Sequence, residues 1–267
     1  MAERVLLTYD DGVAEVRLNR PEKRNALDRA MFEALIAAGE SLARDASLRA
    51  VVLSGEGPCF CSGLDFPSFL PEITGGTAGL EHLFAREQRS PANFAQRAAW
   101  VWRELPVPVI AAIQGAAFGG GFQIALAADL RLVTSDVQLA LKEIEWGIVP
   151  DMSATQTLRR LVRFDVALEL ALTGRVLSGE EAARLGLATR VCQDPRSAAL
   201  ALAKEIAGKS PDAVRVAKRL FDAAWDAEIA DGLQLEESLQ RGLFGGANQR
   251  EALSAKFERR APRFRDT

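Results

Sequence analysis

The chain has 267 residues, 48% hydrophobic and 26% charged, with a formal net charge of −3. That length can bury one large core, and that charge excludes a broad nucleic-acid-binding surface, which needs an excess of Lys and Arg to neutralise phosphates. No run approaches the roughly 18 uninterrupted apolar residues of a membrane span. Of the three cysteines, Cys59 and Cys61 stand too close to bridge, and no CxxC pair suggests zinc, so no metal is expected.

The opening residues, MAERVLLTYDDG, carry neither the apolar core of an export signal nor the Arg-rich pattern of a transit peptide, so a reducing, cytoplasmic setting is expected. VLLTYDDGVAEVRL (5–18) predicts two short strands around an Asp11-Gly12 turn. Asp28 is placed to cap a helix whose apolar stripe includes Met31, Leu35, Ala38 and Leu42. RAVVLSGEGPCFCSGLDF (49–66) reads as a strand, a Gly/Pro-rich loop and a second turn at Ser62-Gly63. FLPEITGGTAG (69–79) reads as a loop, and residues 80–104 as one or two helices.

VPVIAAIQG (107–115) is a short apolar run bounded by Pro and Gly, which predicts a buried strand. Three glycines follow, then a short helix ending near Asp129, which is expected to end that helix or bond backbone. LRLVTSDVQLAL (130–141) predicts a pair of short strands, and EIEWGIVPD (143–151) a loop with three acids. Residues 152–188 look helical, punctuated by Gly174, Gly179 and Gly186, and ATRVC (188–192) a last short strand. From Ser197 onward the pattern is helix alone, with Ser210-Pro211 opening one segment. Strands that alternate with helices and then give way to helices predict an α/β core over 1–196 and a helical region over 197–267.

The stretch AAFGGGFQIALAADL (116–130) sets Gly119, Gly120 and Gly121 at a strand-to-helix junction. Backbone N–H groups are approachable there and lie at the positive end of a helix, which suits a phosphate or a developing oxyanion. Close helix–strand packing is an equally simple use of the same glycines. The dinucleotide pattern GxGxxG fails at Ile124, and no Walker loop is present. FCSGLDF (60–66) is a second turn of small residues after a strand, and two such turns could aim two donors at one oxygen. With one histidine, His82, and no GxSxG elbow, a serine-hydrolase triad is not expected.

Together these motifs resemble the crotonase superfamily, the enoyl-CoA hydratase/isomerase family. The resemblance rests on NRPEKRNAL (19–27), FCSGLD (60–65), VPVIAAIQGAAFGGGFQIALAADLRL (107–132), LALKEIEWGIVPD (139–151) and LTGRVLSGEEAARLGLATRV (172–191), in that order, with a basic, aromatic-containing C-terminus. It implies an α/β, ClpP/crotonase-like spiral of ββα units followed by a C-terminal helical trimerisation region, assembled as a homotrimer or a hexamer of paired trimers. It implies an acyl-CoA thioester as substrate, with no permanently bound cofactor. The backbone N–H groups of Leu64 and Gly120 are then expected to hold the thioester oxygen. Coenzyme A is expected near Lys23 and Arg24 and along Ser62, Asp65 and Phe66, with Phe257 and Arg260 reaching the nucleotide from a neighbouring subunit.

Which reaction follows depends on the acids. Hydratases of this family use two glutamates about twenty residues apart; here Glu143 is the later one, and the earlier position is Gln123. An amide hydrogen-bonds but neither takes nor gives a proton at neutral pH. Asp151, eight residues after Glu143, makes a pair that resembles Δ3,5-Δ2,4-dienoyl-CoA isomerases, although those carry Asp where Gln123 stands. The leading expectation is therefore isomerisation of an unsaturated CoA thioester by Glu143 and Asp151. Asp151 could instead cap the following helix. The alternatives are a hydratase in which Glu143 works on water held by Gln123, and a non-catalytic acyl-CoA-binding protein.

Overall fold

The computed structural model describes residues 3–74, 77–86 and 90–266. The first turn is made as expected: β1 (Val5–Asp10) and β2 (Val13–Leu18) pair antiparallel across Asp11 and Gly12, both at positive φ. That backbone matches the twist of a two-residue hairpin. The Asp28 carboxylate accepts from the Met31 N–H at 2.8 Å and caps α1 (Arg29–Leu42), which buries Met31, Phe32, Leu35 and Leu42.

The chain continues through β3 (Ala50–Gly55), α2 (Phe66–Thr74), α3 (Thr77–Phe84), α4 (Phe94–Glu104), β4 (Val109–Ile113), β5 (Ala116–Phe118), α5 (Gly120–Ala127), β6 (Leu130–Val133) and β7 (Gln138–Ala140). A 3₁₀ turn at Glu143–Trp146 leads to α6 (Ala154–Leu158), α7 (Phe164–Thr173), α8 (Gly179–Leu185), β8 (Arg190–Val191), α9 (Pro195–Ala207), α10 (Pro211–Ala224), α11 (Ile229–Leu243) and α12 (Ala247–Phe257).

Six strands form one sheet in the order β1-β2-β3-β4-β6-β8, parallel except for the first pair, and β5 pairs with β7 in a separate parallel ladder. Both faces of the large sheet are covered, so its central strands read as continuous apolar runs. Val51, Leu53, Val109, Ala111 and Ile113 face the main core with α1, α4 and α5. The alternate residues Val13, Ala50, Val52, Ile110, Ala112 and Leu132 face Ala199, Ala203 and Ala207 of α9. That helix therefore closes the sheet's second face.

Two expectations need correction. Residues 69–79 are not a plain loop, because α2 and α3 occupy most of the stretch; residues 75 and 76 lie outside the described residues. Phe69 is 1% exposed and meets Phe32 edge to face at 6.1 Å. Burial of that ring outweighs Pro71, which removes one interior helix bond. The loop 143–151 in turn begins with the 3₁₀ turn, closed by Gly147 at φ 71°. As expected, Gly174 and Gly186 end α7 and α8 in left-handed conformation. Asp129 accepts from the Val109 N–H at 2.8 Å and is held by Lys218 of α10 at 2.8 Å, a structural role.

Candidate active site

Three segments run side by side at one edge of the core. Cys61 N–H donates to Ala116 O at 3.1 Å, and Phe118 N–H returns a bond to Cys61 O at 3.0 Å. On the other side β5 pairs with β7 in the register Phe118↔Ala140, extended by a bond from Gly119 N–H to Ala140 O at 2.9 Å. Leu64, Gly120 and Glu143 each follow this ladder by two or three residues, so backbone pairing brings their segments together.

Gly119 begins α5 at φ 50° and ψ −124°, a conformation that only glycine adopts without strain. A Cβ on Gly121 would lie 2.6 Å from Cys61 O, and one on Gly120 would lie 2.7 Å from Met152 Sδ. The two readings of the glycine run thus coexist: close packing and an approachable helix start. Gly120 is the first residue of α5, where an N–H has no partner within the helix. The Leu64 turn lies directly beside it, since a Cβ on Gly63 would stand 2.8 Å from Phe118 O. Leu27 N–H donates to Gly63 O at 2.8 Å and Asp65 N–H to Leu27 O at 3.0 Å, which grips the backbone on both sides of Leu64. Among the described residues, no backbone acceptor takes the N–H of Leu64 or Gly120.

The acids sit at the other side of this corner. Glu143 is 6% exposed, and a Cβ on Gly119 would come within 3.3 Å of its Oε1. Gln123, fully buried, donates from Nε2 to Glu143 Oε1 at 2.6 Å. Its own Oε1 accepts from the backbone N–H groups of Met152 at 2.8 Å and Ala154 at 3.2 Å. Glu143 Oε2 is buried with no hydrogen-bond partner among the described residues. Burial raises the Glu143 pKa; its own backbone N–H and the Gln123 amide act against this, and the charge of Asp151 adds to the rise.

Asp151 opens to solvent at the rim, yet partial desolvation of its carboxylate raises its pKa too, with its own backbone N–H opposing. It does not cap α6: that helix starts after Ser153, which lies at φ 76° and gives no side-chain cap. Glu145 points away and pairs with Lys142 at 2.5 Å. Two carboxyl groups with pKa values shifted toward neutrality, beside two free N–H donors, are suited to moving a proton next to a carbonyl whose oxygen gains charge.

The residues expected around coenzyme A divide into three groups. Lys23, Arg24 and Ser62 are brought together: Ser62 N–H donates to Arg24 O at 3.0 Å. Phe66 stacks on Trp146, centroids 3.9 Å apart, and so spans from the Leu64 turn to the Glu143 turn. Asp65 turns inward instead, to Arg20 Nη1 at 2.7 Å, where Arg20 also meets Asp28. Phe257 is 84% exposed at the end of α12, and Arg260 is held by Glu251 and Glu258. No hydrogen bond or ion pair of the described residues joins these two to the Glu143 group.

Sequence reasoning did not single out Met152, Ala154 or Ser153, whose backbone contributes to the site. Two act through N–H groups and the third through a strained φ, and neither property leaves a side-chain signature. Among the described residues, no group of three or more His, Cys, Asp or Glu could hold a metal ion, and no helix is long and apolar enough to cross a membrane.

Residues 8–267 match the model of the family described as enoyl-CoA hydratase/isomerase. Over 259 residues the chain is 33% identical to the Arabidopsis thaliana Delta(3,5)-Delta(2,4)-dienoyl-CoA isomerase, peroxisomal, covering 96% of this chain and 93% of that protein. It is 34% identical to the human enoyl-CoA hydratase domain-containing protein 2, mitochondrial, covering 98% and 88%. The crystal structure of an enoyl-CoA hydratase from Bacillus anthracis superposes with a TM-score of 0.89 at 30% identity, over 99% of this chain and 100% of that one.

Proposed function

This chain belongs to the enoyl-CoA hydratase/isomerase family and has the crotonase fold, and from that premise we propose that it isomerises an unsaturated acyl-CoA thioester. In this reading Glu143 Oε2 removes a proton from the carbon next to the thioester carbonyl. Electron density moves onto the carbonyl oxygen, which the N–H groups of Leu64 and Gly120 hold. Asp151, protonated when the substrate is bound, gives its proton to the far end of the dienolate while Glu143 keeps the one it took. The double bonds shift with no gain or loss of atoms, and the two acids reset by proton exchange with solvent. Two preorganised donors of this kind each lower the barrier by on the order of 3 kcal/mol.

One observation carries the choice of isomerisation. The side chain facing Glu143 is an amide, Gln123, and the acid whose charge acts on Glu143 is Asp151. Hydration by Glu143 on water held by Gln123 is the second reading, favoured by relatives named as probable enoyl-CoA hydratases at similar identity. Incubation with 2-enoyl-CoA and 3,5-dienoyl-CoA panels separates the two, because hydration adds the mass of water and isomerisation changes only the ultraviolet spectrum. Mass gain on enoyl-CoA with no change in dienoyl-CoA would overturn the isomerase reading.

Lys23, Arg24, Ser62 and Phe66 are proposed to contact coenzyme A from within the chain, and Phe257 and Arg260 from a neighbouring copy in a trimer or paired trimers. The exposed apolar residues Phe221, Trp225, Ile229 and Leu233 of α10, α11 and the turn between them supply a surface for such assembly. We propose a reducing compartment, the cytoplasm, with which three free cysteines are consistent.

A further inference from the structure

We propose that Gln123 is a positioning residue that hangs both acids of the site on one buried amide: its nitrogen orients Glu143, and its oxygen anchors the backbone that carries Asp151. The orientation of the amide follows from its partners. Met152 and Ala154 present two N–H donors, which only the amide oxygen can accept, so the NH₂ group must face Glu143. The side chain is 0% exposed, and both its oxygen and its nitrogen are engaged by protein groups.

Two consequences follow from this geometry. Glu143 Oε1 is occupied by the amide, so the carboxylate has a single free oxygen, Oε2, and that atom is the buried one without a partner. Met152 directly follows Asp151, and Ser153 directly follows Met152 at φ 76°, in a region rarely adopted by a side-chain-bearing residue. The two bonds to Gln123 hold the chain through that strained residue and so set where Asp151 leaves the backbone. One amide thereby couples the positions of two carboxylates eight residues apart.

This inference rests on Glu143 and Asp151 being the proton-transfer pair, and its test is chosen to be read separately. The probe is the ligand-free protein labelled with ¹³C at the glutamate carboxyl, with the Glu143 resonance assigned by its loss in Glu143→Gln. Asp151 is the charged group bearing on Glu143. Lys142 beside it is paired with Glu145, and on the packed helix α7 Asp165 is held by Arg163 and Glu169 by Arg175. Gln123→Glu keeps the shape and an oxygen for Met152 and Ala154, but sets a second carboxyl against Glu143. The Glu143 titration should then move up by a pH unit or more, and the acid limb of kcat should move with it while KM stays within about twofold. Gln123→Met removes both ties and should lower kcat at least tenfold.

An unshifted Glu143 titration in Gln123→Glu would overturn the proposal, as would a gain of hydration in that variant with the titration unchanged. The titration needs no substrate, so it reports on Gln123 even where the dienoyl-CoA assay fails and the isomerase reading falls.

Discussion

Phe66 and Trp146 stack face to face, with ring centroids 3.9 Å apart and planes 21° apart. Phe66 comes two residues after Leu64 and Trp146 three after Glu143, so the pair joins the turn that offers an N–H to the turn that offers a carboxylate. Such a pair adds about 1 kcal/mol beyond the area it covers. Trp146→Ala should therefore cost about 1–2 kcal/mol of stability, and should raise KM for a CoA thioester about fivefold to tenfold by loosening the wall between the two turns. Trp146→Phe should restore it. Steady-state kinetics with thermal melts on both variants checks this.

Glu143→Gln keeps the size and removes the carboxylate proposed as the base. Turnover should fall about 10²- to 10⁴-fold, with affinity for a CoA thioester nearly unchanged by calorimetry. Because the folded pKa lies above that of the unfolded chain, the native state holds its proton more tightly, and stability falls as pH rises between those two values. At a pH above both values the wild type therefore carries a buried charge that the variant lacks. Glu143→Gln should raise the melting temperature there, by an amount equivalent to about 1 kcal/mol, and lose that advantage below the ordinary glutamate range. The acid limb of kcat/KM in the wild type should likewise lie above that range, since the base is lost as pH drops through its raised pKa.

Asp151→Asn tests the second acid. Isomerisation should fall about 10²-fold or more, whereas proton exchange at the carbon next to the thioester, read as deuterium uptake from heavy water, should persist through Glu143. Loss of both would assign Asp151 to the first proton transfer instead. Retention of full isomerisation would remove Asp151 from the chemistry.

Asp65→Asn addresses a residue first expected at coenzyme A. Its carboxylate is bound to Arg20, which also reaches Ala26 O and Asp28, and this ionic group backs the Leu64 turn. The variant should lose kcat, by about tenfold, with CoA affinity unchanged. A fall in CoA affinity with kcat unchanged would return Asp65 to the ligand.

Much of this site was legible in the residues. Local chemistry announced the Asp28 cap, the Asp11-Gly12 turn and the left-handed Gly174 and Gly186, because each depends on one side chain or on its absence. The glycine run was legible as a corner, but its use was not: the packing of Gly121 on Cys61 joins positions sixty residues apart. Helix α2 was hidden by Pro67 and Pro71, and only the distant ring of Phe32 explains why it forms. Gln123 was noticed as a missing acid. That its oxygen would be taken by two N–H groups of the Asp151 segment could not be read from a string of residue types.

The parallel pairing of β5 with β7, continued by the Gly119 bond to Ala140, has a bearing on how such a chain can change over time. Relative placement of the Gly120 corner and the Glu143 carboxylate is set by rungs of a ladder, so one inserted or deleted residue within 116–123 or 138–143 would throw the two out of step at once. Among the described residues, 66–74, 77–86 and 90–100 make no bond to that ladder. Lineages could lengthen, shorten or reshape that segment, while the corner and carboxylate proposed to handle the proton descend intact.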